Sequence, residues 1–192
     1  MKTCGIVCEY NPFHIGHQAQ IDAVRAQLGP DTAIVCCTSG NFVQRGEPAL
    51  APRHLRAECA LRGGADLVLE LPLPWSLSSA EGFARAAVGI LSASGVVTHL
   101  AFGAENPDLD LLWALADAAL EKSTIDATLE HLETGIPYAR ARERALYALL
   151  RRDAELLRRP NNTLALEYLK ALRVLHSDLE PIALPRKGAA HD

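Results

Sequence analysis

The amino-acid sequence predicts an α/β fold in which a doubly wound parallel sheet is followed by a helical C-terminal segment. Short apolar runs alternate with stretches of helical periodicity across residues 1–107. Polar clusters follow each apolar run, and from Asp108 onward the apolar spacing is helical. Strands of a parallel sheet are buried on both faces and therefore appear as continuous apolar runs bounded by loops.

The predicted strands are short, and each ends where polar or turn residues begin. They cover residues 4–8, 33–37, 67–71 and 96–102, with a returning strand at 181–185. The helices between the first four strands are predicted over residues 17–28, 54–62 and 78–92. Glycines follow each of these helices, at Gly29, at Gly63-Gly64 and near Gly95.

The remaining helices are predicted over residues 109–120, 125–133, 137–152 and 163–175. Asn161-Asn162-Thr163 is a candidate N-cap for the last of them. We therefore divide the chain into an α/β domain, residues 1–107 plus 180–192, and a helical segment, residues 108–179, packed on it.

Composition is that of an ordinary globular protein, with 49% hydrophobic residues, 22% charged residues and a net charge of −4. No apolar run approaches the length of a membrane span, and no signal peptide is recognisable, so we expect a cytoplasmic protein without a membrane partner. The five cysteines are an odd set and are expected to be reduced thiols rather than disulfides or metal ligands. These residues are Cys4, Cys8, Cys36, Cys37 and Cys59.

The polar clusters are expected to form one site, because ligands of doubly wound sheets bind beyond the carboxyl ends of the strands. The clusters cover residues 9–17, 38–45, 70–75 and 102–105. Within the first, His14-Ile15-Gly16-His17 follows a strand and opens a helix, whose N-terminus favours an anion. Gly16 allows close approach of phosphate, and His14 and His17 are the candidate catalytic donors to the phosphates. Two alternatives are capping or core histidines and a metal site, for which no third carboxylate ligand is evident.

The sequence GIVCEYNPFHIGH, residues 5–17, resembles the opening of the HIGH-motif nucleotidylyltransferase superfamily. Its EYNPF portion is more specific and resembles the bacterial tRNA(Met) cytidine acetate ligase family. Four further blocks agree in order, namely SGNFVQRGEPA (39–49), GADLVLELP (64–72), FGAE (102–105) and PNNTL (160–164).

This resemblance implies a HIGH-type, Rossmann-like nucleotidylyltransferase fold. It also implies ATP-dependent activation of acetate to acetyl-adenylate, followed by acetyl transfer to N4 of the wobble cytidine of elongator tRNA(Met). ATP, acetate and that tRNA are thus the expected partners, and Mg²⁺ is expected with the phosphates. The implied ATP-binding residues are Val7, Cys8, Glu9, Tyr10, Asn11, Pro12, Phe13, His14, Ile15, Gly16, His17, Gln18, Ala19, Gln20, Gly103, Asn161, Asn162, Arg186 and Lys187.

A polar loop after the second strand is a candidate for acetate or tRNA contact through Ser39, Asn41, Gln44 and Arg45. Glu70 is expected to have a structural role at the rim of the crevice. The helical part is locally basic, which fits either a solvated surface or a tRNA backbone contact. Its arginines are Arg140, Arg142, Arg144, Arg151, Arg152, Arg158 and Arg159.

Two departures from the family pattern stand out. Pro52-Arg53 replaces an acidic–lysine pair, and a Ser/Thr-rich Ile-Arg segment that completes the triphosphate clamp does not occur before Asp192. We therefore expect this chain to correspond to an N-terminal portion of the family's length. Two alternatives are a small-molecule nucleotidylyltransferase and a non-catalytic module that binds ATP or tRNA.

Overall fold

A computed structural model describes residues 1–44 and 46–186. Its strands form one five-stranded sheet in the order β3-β2-β1-β4-β5, and every neighbouring pair is parallel. The strands are β1 Thr3–Cys8, β2 Ala33–Ser39, β3 Leu67–Leu71, β4 His99–Ala104 and β5 Glu180–Pro185. The predicted doubly wound parallel sheet, including its returning fifth strand, is confirmed.

The helices follow the predicted order. They are α1 Ile15–Leu28, α2 Arg53–Arg62, α3 Ala80–Ala93, α4 Leu109–Leu120, α5 Lys122–Glu133, α6 Tyr138–Leu150 and α7 Pro160–Val174. Two short 3₁₀ segments, Trp75–Leu77 and Arg151–Arg158, precede α3 and α7. The helix predicted over residues 137–152 was therefore too long at its C-terminal end, where 3₁₀ geometry takes over. None of the described helices is long and apolar enough to cross a membrane.

Strand β1 is the centre of the sheet and the point where the strand order reverses. Cys4 pairs with Ile34 of β2 on one side and with His99 of β4 on the other. The chain winds one way from β1 to β2 and β3, and the other way to β4 and β5. The crevice at such a switch point is where doubly wound sheets bind ligands.

Helices cover both faces of the sheet, so β1 alternates between two apolar cores. Ile6 packs with α1 residues such as Ile21 on one face, and Val7 packs on the other. The second core receives α3, α4 and α7, including Leu166 and Leu169 of α7. Because α7 packs into the same core as the strands, it fixes its own N-terminus relative to the sheet. The division into an α/β domain and a helical segment stays a prediction.

The N-terminus of α7 differs from the prediction that Asn161-Asn162-Thr163 caps it. The helix begins at Pro160, and the preceding Arg159 makes no side-chain capping bond. Proline suits the first helical position because its missing N–H is not needed there. The N–H groups of Asn161 and Asn162 have no partner within the first turn of the helix. They donate instead to the carboxylate of Glu105, which follows β4.

A buried cluster of charges joins α6, α7 and α3. Arg142 and Lys170 both form ion pairs with Glu167, and Lys170 also lies 3.4 Å from Glu81. The side chains of Arg142, Glu167 and Lys170 are at most 8% exposed. Two positive and two negative groups balance here, so the desolvation of each charge is compensated by its neighbours.

Removing one charge from this cluster is expected to destabilise the protein. Glu167→Gln should lower the free energy of unfolding by about 3 kcal/mol, since buried Arg142 would lose its counter-charge and Lys170 would keep only the half-exposed Glu81. Urea denaturation measures the change, with Glu130→Gln on the exposed surface of α5 as the control. A Glu167→Gln protein as stable as the control would contradict the prediction.

Candidate functional site

The carboxyl ends of β1 and β4 open onto one edge of the sheet. From β1 the chain runs through residues 9–14 into the N-terminus of α1, and from β4 it runs through residues 105–108 into α4. The end of β5 and the start of α7 lie beside them, because Arg186 and Asn161 hydrogen-bond to each other. Segments distant in sequence therefore meet where the strand order reverses.

His14 and His17 cap the N-terminus of α1. His14 is the N-cap residue, with extended backbone (φ −145°, ψ 174°), and its Nδ1 accepts a hydrogen bond of 3.0 Å from the N–H of Gly16. The Nδ1 of His17 accepts a bond of 3.2 Å from the N–H of His14. This reciprocal arrangement is a capping box in which imidazoles replace the usual hydroxyl and carboxylate.

The capping box determines the tautomer of both neutral imidazoles. Each Nδ1 accepts a backbone N–H, so the ring proton of each neutral histidine is on Nε2. Each Nε2–H is then a donor on the side of the ring away from the helix. The sequence treated capping histidines as an alternative to phosphate donors, but the same rings can serve in both roles.

The aromatic neighbours hold the two imidazoles in place. The rings of His14 and His17 stack with their centroids 3.7 Å apart, and Tyr10 lies 4.7 Å from His17. Tyr10 is 2% exposed and adopts a left-handed φ of 46°. Burial, together with the charges of His14 and Arg186, lowers the pKa of His17 to about 4. His17 is therefore a neutral hydrogen-bond donor near pH 7, and its imidazole does not itself carry a positive charge.

Arg186 and Asn161 lie next to this histidine pair. The aliphatic part of Arg186 runs over Gly103, where an added Cβ would lie 3.6 Å from its Cγ. Its Nη1 donates to the Oδ1 of Asn161. The structure thus brings together His17, Gly103, Asn161 and Arg186, all predicted from the sequence. Lys187 was also predicted but lies outside the described residues.

Asn162 has a structural role in the described residues, and its predicted contact with ATP stays a prediction. Its Oδ1 accepts from the N–H of Asn106 at 3.0 Å, and its Nδ2 donates to the carbonyl of Leu156 at 3.1 Å. The residue is 0% exposed. With both amide atoms engaged and no accessible surface, Asn162 fastens the loop after β4 to the start of α7.

The side chains of Glu9 and Asn11 hold the neighbouring loop. The carboxylate of Glu9 accepts a hydrogen bond of 2.6 Å from the N–H of Gln44, and Asn11 accepts one of 2.7 Å from the N–H of Leu50. Ile15 is 90% exposed, whereas Gln18 bonds to Asp22 one turn along α1. The rest of the predicted ATP-binding segment ranges from exposed to half-buried. Those residues are Val7, Cys8, Pro12, Phe13, Gly16, Ala19 and Gln20.

The loop after β2 contains both exposed and buried candidates for substrate contact. Asn41 accepts from the N–H of Arg53 at 3.4 Å, and the side chain of Ser39 is fully buried. Within the described residues the Ser39 hydroxyl has no hydrogen-bond partner. Glu70 bonds to Arg53 at 2.6 Å, consistent with a structural role at the rim, and Arg45 lies outside the described residues.

Arg56 is a central residue of this edge that the sequence did not single out. Its guanidinium donates to the carbonyls of Glu9, Ser39 and Gly40, and its Nε donates to Ala51 at 3.2 Å. It is 2% exposed. The available signal was its position one turn before Ala60, the other buried residue of α2.

The basic surface of the helical part is smaller than its seven arginines suggest. Arg142 is buried in an ion pair, and Arg158 bonds to Glu143 at 2.7 Å. Arg140, Arg144 and Arg159 are exposed. The described residues contain no group of three or more histidines, cysteines or acids arranged to hold a metal ion.

Comparison with known proteins identifies the family of this chain. The family model for the HIGH nucleotidyl transferases matches residues 1–192. The chain belongs to this family. Its relatives include the tRNA(Met) cytidine acetate ligase of Fervidobacterium nodosum, 40% identical over 194 residues, which cover 100% of this chain and 45% of the relative. The ligase of Kosmotoga olearia is also 40% identical, with 100% of this chain and 47% of the relative covered.

Solved structures of the family have the same fold. Thermotoga maritima TmcAL bound with alpha-thio ATP superposes with a TM-score of 0.91 at 36% identity, covering 98% of this chain and 47% of that one. Its apo form gives a TM-score of 0.92. The resemblance to tRNA(Met) cytidine acetate ligases is thereby confirmed along the chain. The chain spans about half the length of the curated relatives that it matches.

Substituting Arg56 is expected to weaken the whole edge of the sheet. Lysine keeps the charge but cannot donate to several carbonyls in a fixed fork, so Arg56→Lys should cost about 2 kcal/mol or more of unfolding free energy. Urea denaturation tests this, and Arg62→Lys, at the exposed end of α2, is the matched control. Equal stabilities of the two variants would show that Arg56 is not a structural tie.

The lowered pKa of His17 makes stability depend on pH. The unfolded state binds this proton below about pH 6.5, whereas the folded state resists it until about pH 4. His17 should therefore contribute stability that is fully present above pH 6.5 and is lost as the pH falls towards 4. A histidine NMR titration should show His17 changing charge near pH 4, and a midpoint above 6 would contradict the prediction.

Proposed function

We propose that this chain binds ATP and activates acetate as acetyl-adenylate, for transfer to N4 of the wobble cytidine of elongator tRNA(Met). The observation that carries the proposal is the pair of Nε2–H donors on His14 and His17 at the N-terminus of α1. The relatives named tRNA(Met) cytidine acetate ligase supply the acceptor, and the Thermotoga maritima structure supplies the nucleotide, as alpha-thio ATP.

The site is suited to the negative charge of a polyphosphate. The positive end of the α1 dipole, two imidazole donors and the guanidinium of Arg186 converge on one crevice. Gly103, which has no Cβ, lets the aliphatic part of Arg186 lie against the backbone at the end of β4. The imidazole donors stabilise charge as it develops on the α-phosphate and the leaving pyrophosphate, an effect worth about 3 kcal/mol for a well-placed donor.

The first step is an attack of acetate on ATP. A carboxylate oxygen of acetate forms a bond to the α-phosphorus, and the bond from that phosphorus to the oxygen bridging to the β-phosphate breaks. Pyrophosphate leaves with the electron pair and acetyl-adenylate remains. Because a carboxylate with a pKa of about 4 is already ionised at neutral pH, neither histidine needs to act as a base.

The second step transfers the acetyl group to RNA. The N4 amine of cytidine attacks the acyl carbon, the bond from that carbon to the AMP oxygen breaks, and the amine loses a proton. The loop after β2 is the proposed contact for acetate or tRNA, through Ser39, Asn41, Gln44 and Arg45. Mg²⁺ is proposed to enter with the phosphates of ATP and to neutralise part of their charge.

The histidine pair allows phosphate contact to be separated from helix capping. Asparagine is a good N-cap whose side-chain oxygen can accept the Gly16 N–H, but it is too short to replace the Nε2–H donor. His14→Asn should therefore keep the stability of the protein while lowering acetate-dependent ATP–pyrophosphate exchange by at least about a hundredfold. His14→Ala should lose the same activity and about 1 kcal/mol of stability in addition.

Calorimetric titration with ATP and radiolabelled pyrophosphate exchange measure these outcomes. Exchange that depends on phosphopantetheine or nicotinamide mononucleotide instead of acetate would identify a small-molecule nucleotidylyltransferase. ATP binding without exchange on any of these acceptors would leave a nucleotide-binding module. An active His14→Asn variant would exclude His14 as a phosphate donor.

A further inference from the structure

The carboxylate of Glu105 stands between β4 and the N-terminus of α7. Its Oε1 accepts from the Nδ2 of Asn161 at 2.6 Å and from the N–H of Asn161 at 3.3 Å. Its Oε2 accepts from the N–H of Asn162 at 2.8 Å. The positive end of α7 further compensates the negative charge, so this carboxylate is stable close to a crevice suited to phosphate.

These contacts determine which way the amide of Asn161 faces. Because Nδ2 donates to Glu105, the Oδ1 of Asn161 is directed to the opposite side, where it accepts from Arg186. An amide turned the other way would present two N–H groups to a guanidinium, which has no acceptor. The orientation of Asn161 therefore depends on Glu105, and the position of Arg186 depends on Asn161.

The contacts of Arg186 extend this chain to the histidines. The side chain of Arg186 lies along Gly103 and close enough to His17 to lower the pKa of that imidazole, together with burial and His14. A continuous series of side-chain contacts thus runs from the end of β4 through α7 and the end of β5 to α1. The buried side chain of Asn162 holds the same junction through hydrogen bonds to the backbone of Asn106 and Leu156.

We propose that Glu105 is a positioning residue of the nucleotide site, which orients Asn161 and through it Arg186 towards the phosphates of ATP. This inference rests on the proposed function, since it assigns ATP as the ligand of that site. Glu105 itself does not contact the nucleotide, because Asn161 and Asn162 engage both of its oxygens. Its effect on ATP binding is transmitted by the amide and the guanidinium.

The test compares Glu105→Gln, Asn161→Ala and the double variant by calorimetric titration with Mg·ATP. Glutamine keeps the size of Glu105 but turns an N–H group towards donors of α7, so Asn161 loses its fixed orientation. We expect the Kd for ATP to rise about tenfold in each single variant. The double variant should bind no more weakly than Asn161→Ala, because both changes interrupt one chain of contacts.

Asp108→Ala is the matched control. Asp108 also places a carboxylate at a helix N-terminus, where it accepts from the N–H of Leu111 at 3.1 Å, but it has no contact with Asn161 or Arg186 in the described structure. It should lower stability by a similar amount without changing the Kd for ATP. A purely structural role of Glu105 would instead make the two variants behave alike in both measurements.

A second readout does not need ATP. In the free protein, NMR signals of the Asn161 side-chain amide and the Arg186 guanidinium should shift in Glu105→Gln and remain unchanged in Asp108→Ala. Unaltered signals, an unchanged Kd in Glu105→Gln, or additive losses in the double variant would each overturn the inference while wild-type ATP binding stands. Absence of ATP binding by the wild type in the same titration would overturn the proposed function, and this inference with it.

Discussion

The buried guanidinium of Arg56 holds together the edge of the sheet on which the site is built. Where β1 and β2 end, their following carbonyls leave the ladder and lose their partners inside the protein. Arg56 donates to the carbonyls of Glu9, Ser39 and Gly40, and in doing so keeps the two departing segments at a defined separation. A buried carbonyl without a partner is costly, so the guanidinium and these turns stabilise one another. Residues 9–17 and the loop after β2 both begin at the carbonyls that Arg56 binds.

The site next to Arg56 combines positively and negatively charged side chains without burying an uncompensated charge. The two imidazoles cap α1 through Nδ1, and Arg186 provides a permanent positive charge at the exposed rim. A neutral His17 avoids repulsion with Arg186 when no ligand is bound, and it keeps the Nε2–H that the proposed function assigns to a phosphate oxygen. The carboxylates of Glu9 and Glu105 accept backbone N–H groups, so each is compensated where it stands.

The sequence predicted the sheet well because its evidence is local. Continuous apolar runs, glycines after helices and polar clusters after strands identify the parallel sheet and the edge that carries the site. The contacts that decide individual roles are not local. Nothing near Asn162 in the chain indicates that its amide would bond to Asn106 and Leu156, and its neighbour Asn161 has the same side chain with a different environment. Arg56 and Arg142 look like surface arginines until tertiary packing buries them.

The same limit applies to the start of α7, where an asparagine pair suggested a local cap. The carboxylate of Glu105, in the loop after β4, supplies the cap, and proline makes a local one unnecessary. Short-range rules describe what a segment can do, and the packing of distant segments selects among those options. His14 illustrates this point in the opposite direction, because its local capping role leaves Nε2 free for a role that only the assembled site can use.

The pairing of Arg186 with Asn161 beside His17 links residues from nearly opposite ends of the described chain. The crevice cannot exist until β5 has docked on β4, and β5 is the last strand of the described residues to leave the ribosome. Under the proposed function, a nucleotide would bind this crevice only in molecules in which β5 is docked on β4. By mass action such a ligand would draw the population towards molecules in which the crevice is formed. The concentration of the nucleotide would then set the fraction of folded molecules.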